Sequence, residues 1–105
     1  MRRIEYNKLV RDKIPERLEK TVKCFSTRVV EGDEYYKSLN NKLQEEVNEY
    51  FESGSIEELA DIQEVLLAIL DFKNVKLDEF EQIRLDKVQE RGVFKQKIFL
   101  EYVEE

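Results

Sequence analysis

Two stretches of this sequence place apolar residues at the spacing of an α-helix, and this pattern limits the folds that the chain can adopt. One lies within residues 33–52 and the other within residues 55–72. The apolar positions of the second cover a wide arc, which is typical of a largely buried helix. Because the 105 residues include only three glycines and one proline, little interrupts such helices. We therefore predict a mainly α-helical bundle that forms a single domain over residues 1–105.

Proline and capping residues set the expected limits of the first helices. Pro15 suits the first turn of a helix that runs to about residue 22, and a short helix is expected before it at residues 6–12. The long helix of the first apolar stretch should stop at Gly54. Ser55 and Glu58 then match a capping box, which predicts the start of the next helix.

The remaining elements are a last helix and a short pair of strands. Asp78 and Glu81 form a second capping-box pattern, and the helix that they open should end at Gly92. Residues 24–30 are rich in β-forming side chains, and residues 94–103 alternate roughly between apolar and polar. We expect these two segments to form a short β-pair.

Composition excludes several classes of function. The net charge of −6 opposes binding to a nucleic-acid backbone, and no run of about 20 apolar residues is present to span a membrane. Without histidine the chain cannot build a Ser-His-Asp or Cys-His site, and its single cysteine cannot form an internal disulfide. We expect a cytoplasmic protein whose chemistry depends on carboxylates, lysines and arginines.

Four carboxylates fall at positions where a solvated helix surface is not expected. At about 100° per residue, Glu46 adjoins the apolar stripe of its helix and Glu49 lies one turn further along the same flank. Glu58 lies within the apolar arc of the following helix, and Asp61 borders it. Burying ionised carboxylates costs several kcal/mol unless they are neutralised. Since Mg²⁺ prefers oxygen ligands, we predict that these four residues bind Mg²⁺, with Mn²⁺ as a substitute.

Other interpretations of the same acids stay open. Glutamates on helices are usually solvated. Glu58 fits the capping box with Ser55, although capping does not account for Asp61. Glu45 lies at the side of the helix, where it is a metal ligand, a group that supports a ligand, or a solvated residue.

The acidic motifs resemble those of a known superfamily. Glu45-Glu46-Val47-Asn48-Glu49, followed by Glu58-Leu59-Ala60-Asp61, is similar to the EExxE and ExxD motifs of the MazG-like all-α nucleotide pyrophosphohydrolases. The opening Tyr6–Pro15 segment and the Arg91-Gly92-x-Phe94 ending resemble a subgroup of small, phosphoribosyl-ATP-pyrophosphohydrolase-like house-cleaning members. The resemblance covers nearly the whole chain.

The resemblance implies a helical bundle of the all-α NTP pyrophosphatase type, assembled as a homo-oligomer, either a dimer or a tetramer. It implies that Glu46, Glu49, Glu58 and Asp61 bind Mg²⁺. The expected reaction is hydrolysis of a nucleoside triphosphate, canonical or non-canonical, to the monophosphate and pyrophosphate. It does not identify the substrate.

Basic residues near the two ends of the chain are candidate phosphate ligands. Lys8, Arg11 and Lys13 precede Pro15, and Arg11 is favoured because a guanidinium can bind phosphate through two hydrogen bonds. Lys87 and Arg91 lie four positions apart, and the helical periodicity predicts that both face inward. Either Glu49 or Glu45 would act as the general base.

Two other functions fit the same sequence. In one, the substrate is phosphoribosyl-ATP or another phosphorylated metabolite. In the other, the chain is a non-catalytic helical interaction module, whose carboxylates pair with Arg84, Lys87 or Arg91 across the bundle.

Overall fold

The computed structural model describes residues 2–105, and within that range it contains four α-helices and no β-strand. The helices are α1 (Ile14–Thr21), α2 (Gly32–Ser53), α3 (Ile56–Phe72) and α4 (Leu77–Arg91). This confirms the mainly α-helical fold. The chain divides into two compact units, Met1–Asn74 and Val75–Glu105.

Helices α2 and α3 form an antiparallel hairpin, which is the centre of the first unit. They pack against each other along their length, and Leu39 of α2 and Val65 of α3 are buried between them. At the open end of the hairpin, Phe72 packs on the rings of Tyr35 and Tyr36, with centroids 5.6 and 5.3 Å away. These contacts pair the start of α2 with the end of α3. They place the second half of α2 beside the first turns of α3.

A tight connection closes the hairpin. Gly54 ends α2 in the left-handed conformation, at φ 64°, and its N–H donates to the carbonyl oxygen of Tyr50 at 2.7 Å. Ser55 caps α3, because its hydroxyl oxygen accepts a hydrogen bond from the backbone N–H of Glu58 at 3.4 Å. Because only two residues separate the helices, the acidic motif of α2 and that of α3 lie one or two turns from the same closed end.

Two local predictions near the helix starts are wrong. Residues 6–12 do not form a helix, because Asn7 adopts a left-handed φ of 47°, which interrupts the helical path. Asp78 does not cap α4. The capping position is Lys76, and the carboxylate of Asp78 instead accepts a hydrogen bond from the next backbone N–H, at Glu79. The short Asp side chain satisfies a neighbouring donor within the first turn.

The expected β-pair is also absent from the described residues. Neither residues 24–30 nor residues 94–103 contain a strand, and most of their side chains are exposed. Strand propensity mainly reflects how well side chains fit a half-buried, paired surface. Without burial or a ladder partner, a β-forming composition does not produce a strand.

The second unit consists of α4 and an irregular tail, in which the N–H of Lys97 donates to the carbonyl oxygen of Phe94 in a turn. No residue of α4 is buried, and the tail after Gly92 exposes large apolar side chains, including Phe94 at 97% and Phe99 at 88%. Among the described helices, none combines the length and the apolar composition needed to cross a membrane.

Candidate metal centre

Three of the four predicted ligands converge where α2 packs on α3. Glu46 projects from α2, and Glu58 and Asp61 project from adjacent turns of α3. One carboxylate oxygen from each residue lies within 4.8 Å of the others. Three negative charges at this separation repel one another strongly in a partly buried site. The cluster therefore requires protons or cations.

Two oxygen atoms of this cluster are buried without any hydrogen-bond partner. They are Oε2 of Glu46 and Oε2 of Glu58. The Glu46 side chain is only 9% exposed, so bulk solvent hardly reaches this carboxylate. A buried acceptor that lacks a partner costs about 1–3 kcal/mol, and more when it is charged. These two oxygens are therefore candidate ligand atoms.

Glu49 lies next to this cluster but outside the group of three. It is half-buried one turn after Glu46, and the two carboxyl groups interact directly. Burial raises the pKa of Glu46 above its ordinary value of 4.5, the Glu49 carboxyl raises this pKa further, and Lys42 partly opposes both effects. The environment of Glu46 therefore favours a proton or another positive charge at this carboxylate.

Only one of the two hydrogen bonds of the expected capping box at Ser55 and Glu58 is present. Ser55 accepts the hydrogen bond expected from the backbone of Glu58, but the backbone N–H of Ser55 donates to the hydroxyl of Ser53 at 3.2 Å. The Glu58 carboxylate therefore does not make the return hydrogen bond of a capping box. Its position in the first turn of α3 still benefits from the positive end of the helix dipole.

The segment before α1 brings two of the predicted cations to these acids. Arg11 donates to Asp61 at 2.6 Å, and Lys8 donates to Glu45 at 2.8 Å. Lys13 is exposed at the N-terminal end of α1, and it makes no ion pair within residues 2–105. Lys8 and Arg11 thus attach the amino-terminal segment to α2 and α3 through charge.

Lys42 is a functional candidate that the sequence analysis missed. Its ammonium group lies 2.5 Å from Glu45 and 3.4 Å from Glu46, and its side chain is only 17% exposed. The sequence spacing could have identified this lysine. Lys42 lies three residues before Glu45 and four before Glu46, so it shares a helix surface with both. The apolar periodicity that identifies the acids does not by itself point to this lysine.

The two lysines determine the state of Glu45. Burial raises the pKa of this carboxyl, but hydrogen bonds from Lys42 and Lys8 outweigh that effect, and the net pKa lies below its ordinary value. Glu45 is therefore held as a carboxylate between two ammonium groups. Of the three interpretations left open, the solvated one is excluded, since Glu45 is half-buried and paired on both sides.

Lys87 and Arg91 lie on α4 in the second unit, one turn apart. Both side chains are exposed, and α4 buries no residue. Their role as phosphate ligands stays a prediction.

The arrangement of the cluster suits a hard divalent cation. Carboxylate oxygens from two packed helices supply ligands of the type that Mg²⁺ and Mn²⁺ prefer, and two of these oxygens have no other partner. Lysine and arginine lie at the edge of the cluster, where they can contact an anion held over the cation.

The raised pKa of Glu46 predicts a specific dependence of stability on pH in the presence of a chelator. A carboxyl whose pKa is higher in the folded state than in the unfolded state binds more protons when folded, so stability falls as pH rises from about 4.5 through the folded pKa. Glu46→Gln removes this loss. The variant should gain stability over the wild type across that interval, by about 1.4 kcal/mol for each unit of pKa shift.

Urea unfolding at several pH values between about 4 and about 8 measures this difference. Glu64→Gln is the matched control, because Glu64 is an exposed acid on α3. The difference between Glu46→Gln and the wild type should vary with pH more than the difference of this control does. A constant difference for Glu46→Gln would contradict the raised pKa.

Comparisons of this chain with protein-family models, with curated proteins and with solved structures found no match. The case for a function therefore rests on the residues of this cluster and on the motifs that contain them.

Proposed function

We propose that this chain is a Mg²⁺-dependent nucleotide pyrophosphohydrolase, which splits a nucleoside triphosphate into monophosphate and pyrophosphate. The observation that carries the proposal is the pair of buried, unpartnered oxygens of Glu46 and Glu58 within a three-carboxylate cluster. The cluster is built from the same acidic motifs that resemble those of the MazG-like superfamily. The motifs and the geometry thus support the same chemistry.

The alternative of a purely structural acid cluster accounts less well for these atoms. Such a cluster would be neutralised by ion pairs within the fold. Arg11 neutralises Asp61, and Lys42 contacts Glu46 through Oε1 only. Arg84, one of the cations considered for this role, pairs with Glu81 on its own helix. Because two oxygens still lack a donor, a cation ligand explains the cluster better than ion pairs do.

The side chains of the cluster divide the chemical roles. A bound Mg²⁺ would neutralise charge on the phosphates and lower the pKa of a water molecule. Glu46, Glu58 and Asp61 would hold the cation, with Glu49 beside them. Glu49 is the better general base, because Glu45 is kept ionised by two lysines and has a lowered pKa. Arg11 and Lys8 would bind phosphate oxygens, and Lys13, Lys87 and Arg91 remain further candidates.

Metal binding gives the first test. Mg²⁺ or Mn²⁺ should raise the melting temperature of the folded protein, since a ligand at about 100 times its Kd stabilises by about 2.7 kcal/mol. Glu46→Gln should abolish this rise and yet melt at or above the wild type without metal, because it removes a buried charge at nearly constant shape.

Differential scanning calorimetry with and without metal measures both effects. Glu64→Gln is again the control and should respond to metal as the wild type does. A wild type with no shift at millimolar Mg²⁺ and Mn²⁺ would rule out the metal centre.

The identity of the products tests the reaction. A panel of canonical and modified nucleoside triphosphates, incubated with Mg²⁺ and the wild type, should release pyrophosphate and the corresponding monophosphate in equal amounts. Separate assays for pyrophosphate and orthophosphate distinguish the bond that is cleaved. Release of orthophosphate from a triphosphate, or activity that survives Glu46→Gln, would contradict the proposal.

Exposed apolar residues of the tail support a homo-oligomer, in which a second copy of this chain would cover them. Three large side chains of the tail, Phe94, Ile98 and Phe99, are each more than 80% exposed. Exposed apolar surface of this extent is typical of an interface rather than of a monomer. We propose that the tail contributes to a dimer or tetramer contact.

Light scattering after size exclusion should give a mass that is an integer multiple, two or four, of the chain mass. Phe99→Glu should shift the protein towards the monomer, because it introduces a charge into the apolar contact. Lys95→Glu, an exposed charge change in the same tail, should leave the mass unchanged. A wild type that is monomeric at micromolar concentration would contradict the assembly.

A further inference from the structure

A small polar pocket lies next to the acidic cluster, between the amino-terminal segment and α2. It is lined by Asn7, Lys8, Ser38, Asn41, Lys42 and Glu45. Every one of these side chains is polar, and none is apolar or aromatic. Pockets for nucleobases are usually lined by apolar and aromatic side chains, on which the base can stack. The lining therefore fits a highly polar ligand better than a base.

The charges of the lining identify the sign of that ligand. Two ammonium groups and one carboxylate give the pocket a net charge of +1, in a protein whose net charge is −6. Lys42 is only 17% exposed, and a cation in a partly desolvated site attracts an anion more strongly than a solvated one does. Because Lys42 also pairs with Glu46, the pocket presents this positive charge to an anion when a cation or a proton neutralises the acidic cluster beside it.

Both lysines can donate to a further acceptor without losing their present partners. An ammonium group has three N–H donors. Lys8 contacts Glu45, and Lys42 contacts Glu45 and Glu46, so each has at least one donor to spare. The amide groups of Asn7 and Asn41 and the hydroxyl of Ser38 add neutral donors around them. Several oxygen atoms of one anion can therefore be bound at once.

Lys42 also connects the pocket to the candidate metal centre. The same ammonium group lies 2.5 Å from Glu45, in the pocket lining, and 3.4 Å from Glu46, in the cluster. A chain of phosphates that begins at the cation would continue directly into the pocket. A single phosphate held only by the cation would leave the pocket empty.

We propose that the pocket formed by Asn7, Lys8, Ser38, Asn41, Lys42 and Glu45 is the subsite that binds the phosphates leaving as pyrophosphate. This inference rests on the proposed function for the identity of the neighbouring site. It adds Lys42 as a phosphate ligand, with Lys8 on the opposite side of Glu45.

Pyrophosphate binding tests the subsite without any turnover. Calorimetric titration of the full chain with inorganic pyrophosphate, with and without Mg²⁺, should show Lys42→Gln and Lys8→Gln each weakening the affinity at least tenfold. Lys37→Gln is the matched control, since it removes the same charge from an exposed position on α2 outside the pocket lining. Its affinity for pyrophosphate should stay within twofold of the wild type.

A separate titration with Mn²⁺, followed by electron paramagnetic resonance, distinguishes this role from a merely structural one. Lys42→Gln should bind Mn²⁺ as tightly as the wild type or more tightly, because it removes a positive charge next to Glu46. If Lys42 only supports the cluster, Lys42→Gln should weaken the binding of both Mn²⁺ and pyrophosphate. That result would overturn the proposal.

Failure of the subsite and failure of the proposed function give different results. If Mn²⁺ binds and triphosphates are cleaved, but both pocket variants bind pyrophosphate like the Lys37→Gln control, the subsite is wrong and the enzyme assignment stands. If the wild type binds no Mn²⁺ and cleaves nothing, the enzyme assignment is wrong. A tenfold loss of metal-free pyrophosphate binding in the pocket variants would then still support an anion site.

Discussion

The burial of carboxylates where α2 packs on α3 is the constraint on which the rest of this structure depends. Glu46 loses most of its contact with water there, and it lies beside two other acids. The surrounding cations follow from this. Lys42 approaches from the same helix, and the amino-terminal segment contributes Arg11 at the cluster and Lys8 at Glu45. Charge compensation therefore contributes to the attachment of residues 7–11 to the hairpin.

The hairpin itself could be predicted because its determinants are local. The apolar spacing of α2 and α3, the left-handed Gly54 and the cap at Ser55 each depend on a few neighbouring residues. A short connection then forces the two helices to be antiparallel neighbours. Glu46, Glu58 and Asp61 converge because their angular positions on the two helices face each other once the helices form an antiparallel hairpin. For this reason the acidic cluster could be derived from sequence without any knowledge of the fold.

Features that depend on distant residues were harder to predict. The pairing of Lys8 with Glu45 joins positions 37 residues apart, and the pairing of Arg11 with Asp61 joins positions 50 apart. Periodicity carries no information on such pairs. The strand prediction failed for a related reason, since a strand needs a partner that the local sequence does not specify. Lys42 was within reach of local reasoning, through its spacing to two glutamates, but only once lysine is considered as a partner for buried acids.

The ion pair between Arg11 and Asp61 has a thermodynamic consequence for any cation that binds the cluster. A cation that takes Oδ1 of Asp61 competes with the guanidinium for that oxygen, and its measured affinity then includes the free energy of breaking the pair. The pair is largely exposed and is worth about 0.2–1 kcal/mol, which lowers the apparent affinity by a factor of about 1.4–5. By reciprocity, an occupied cluster loosens the amino-terminal segment by the same factor. Cation binding at the cluster and the attachment of residues 7–11 to the hairpin are thus thermodynamically linked.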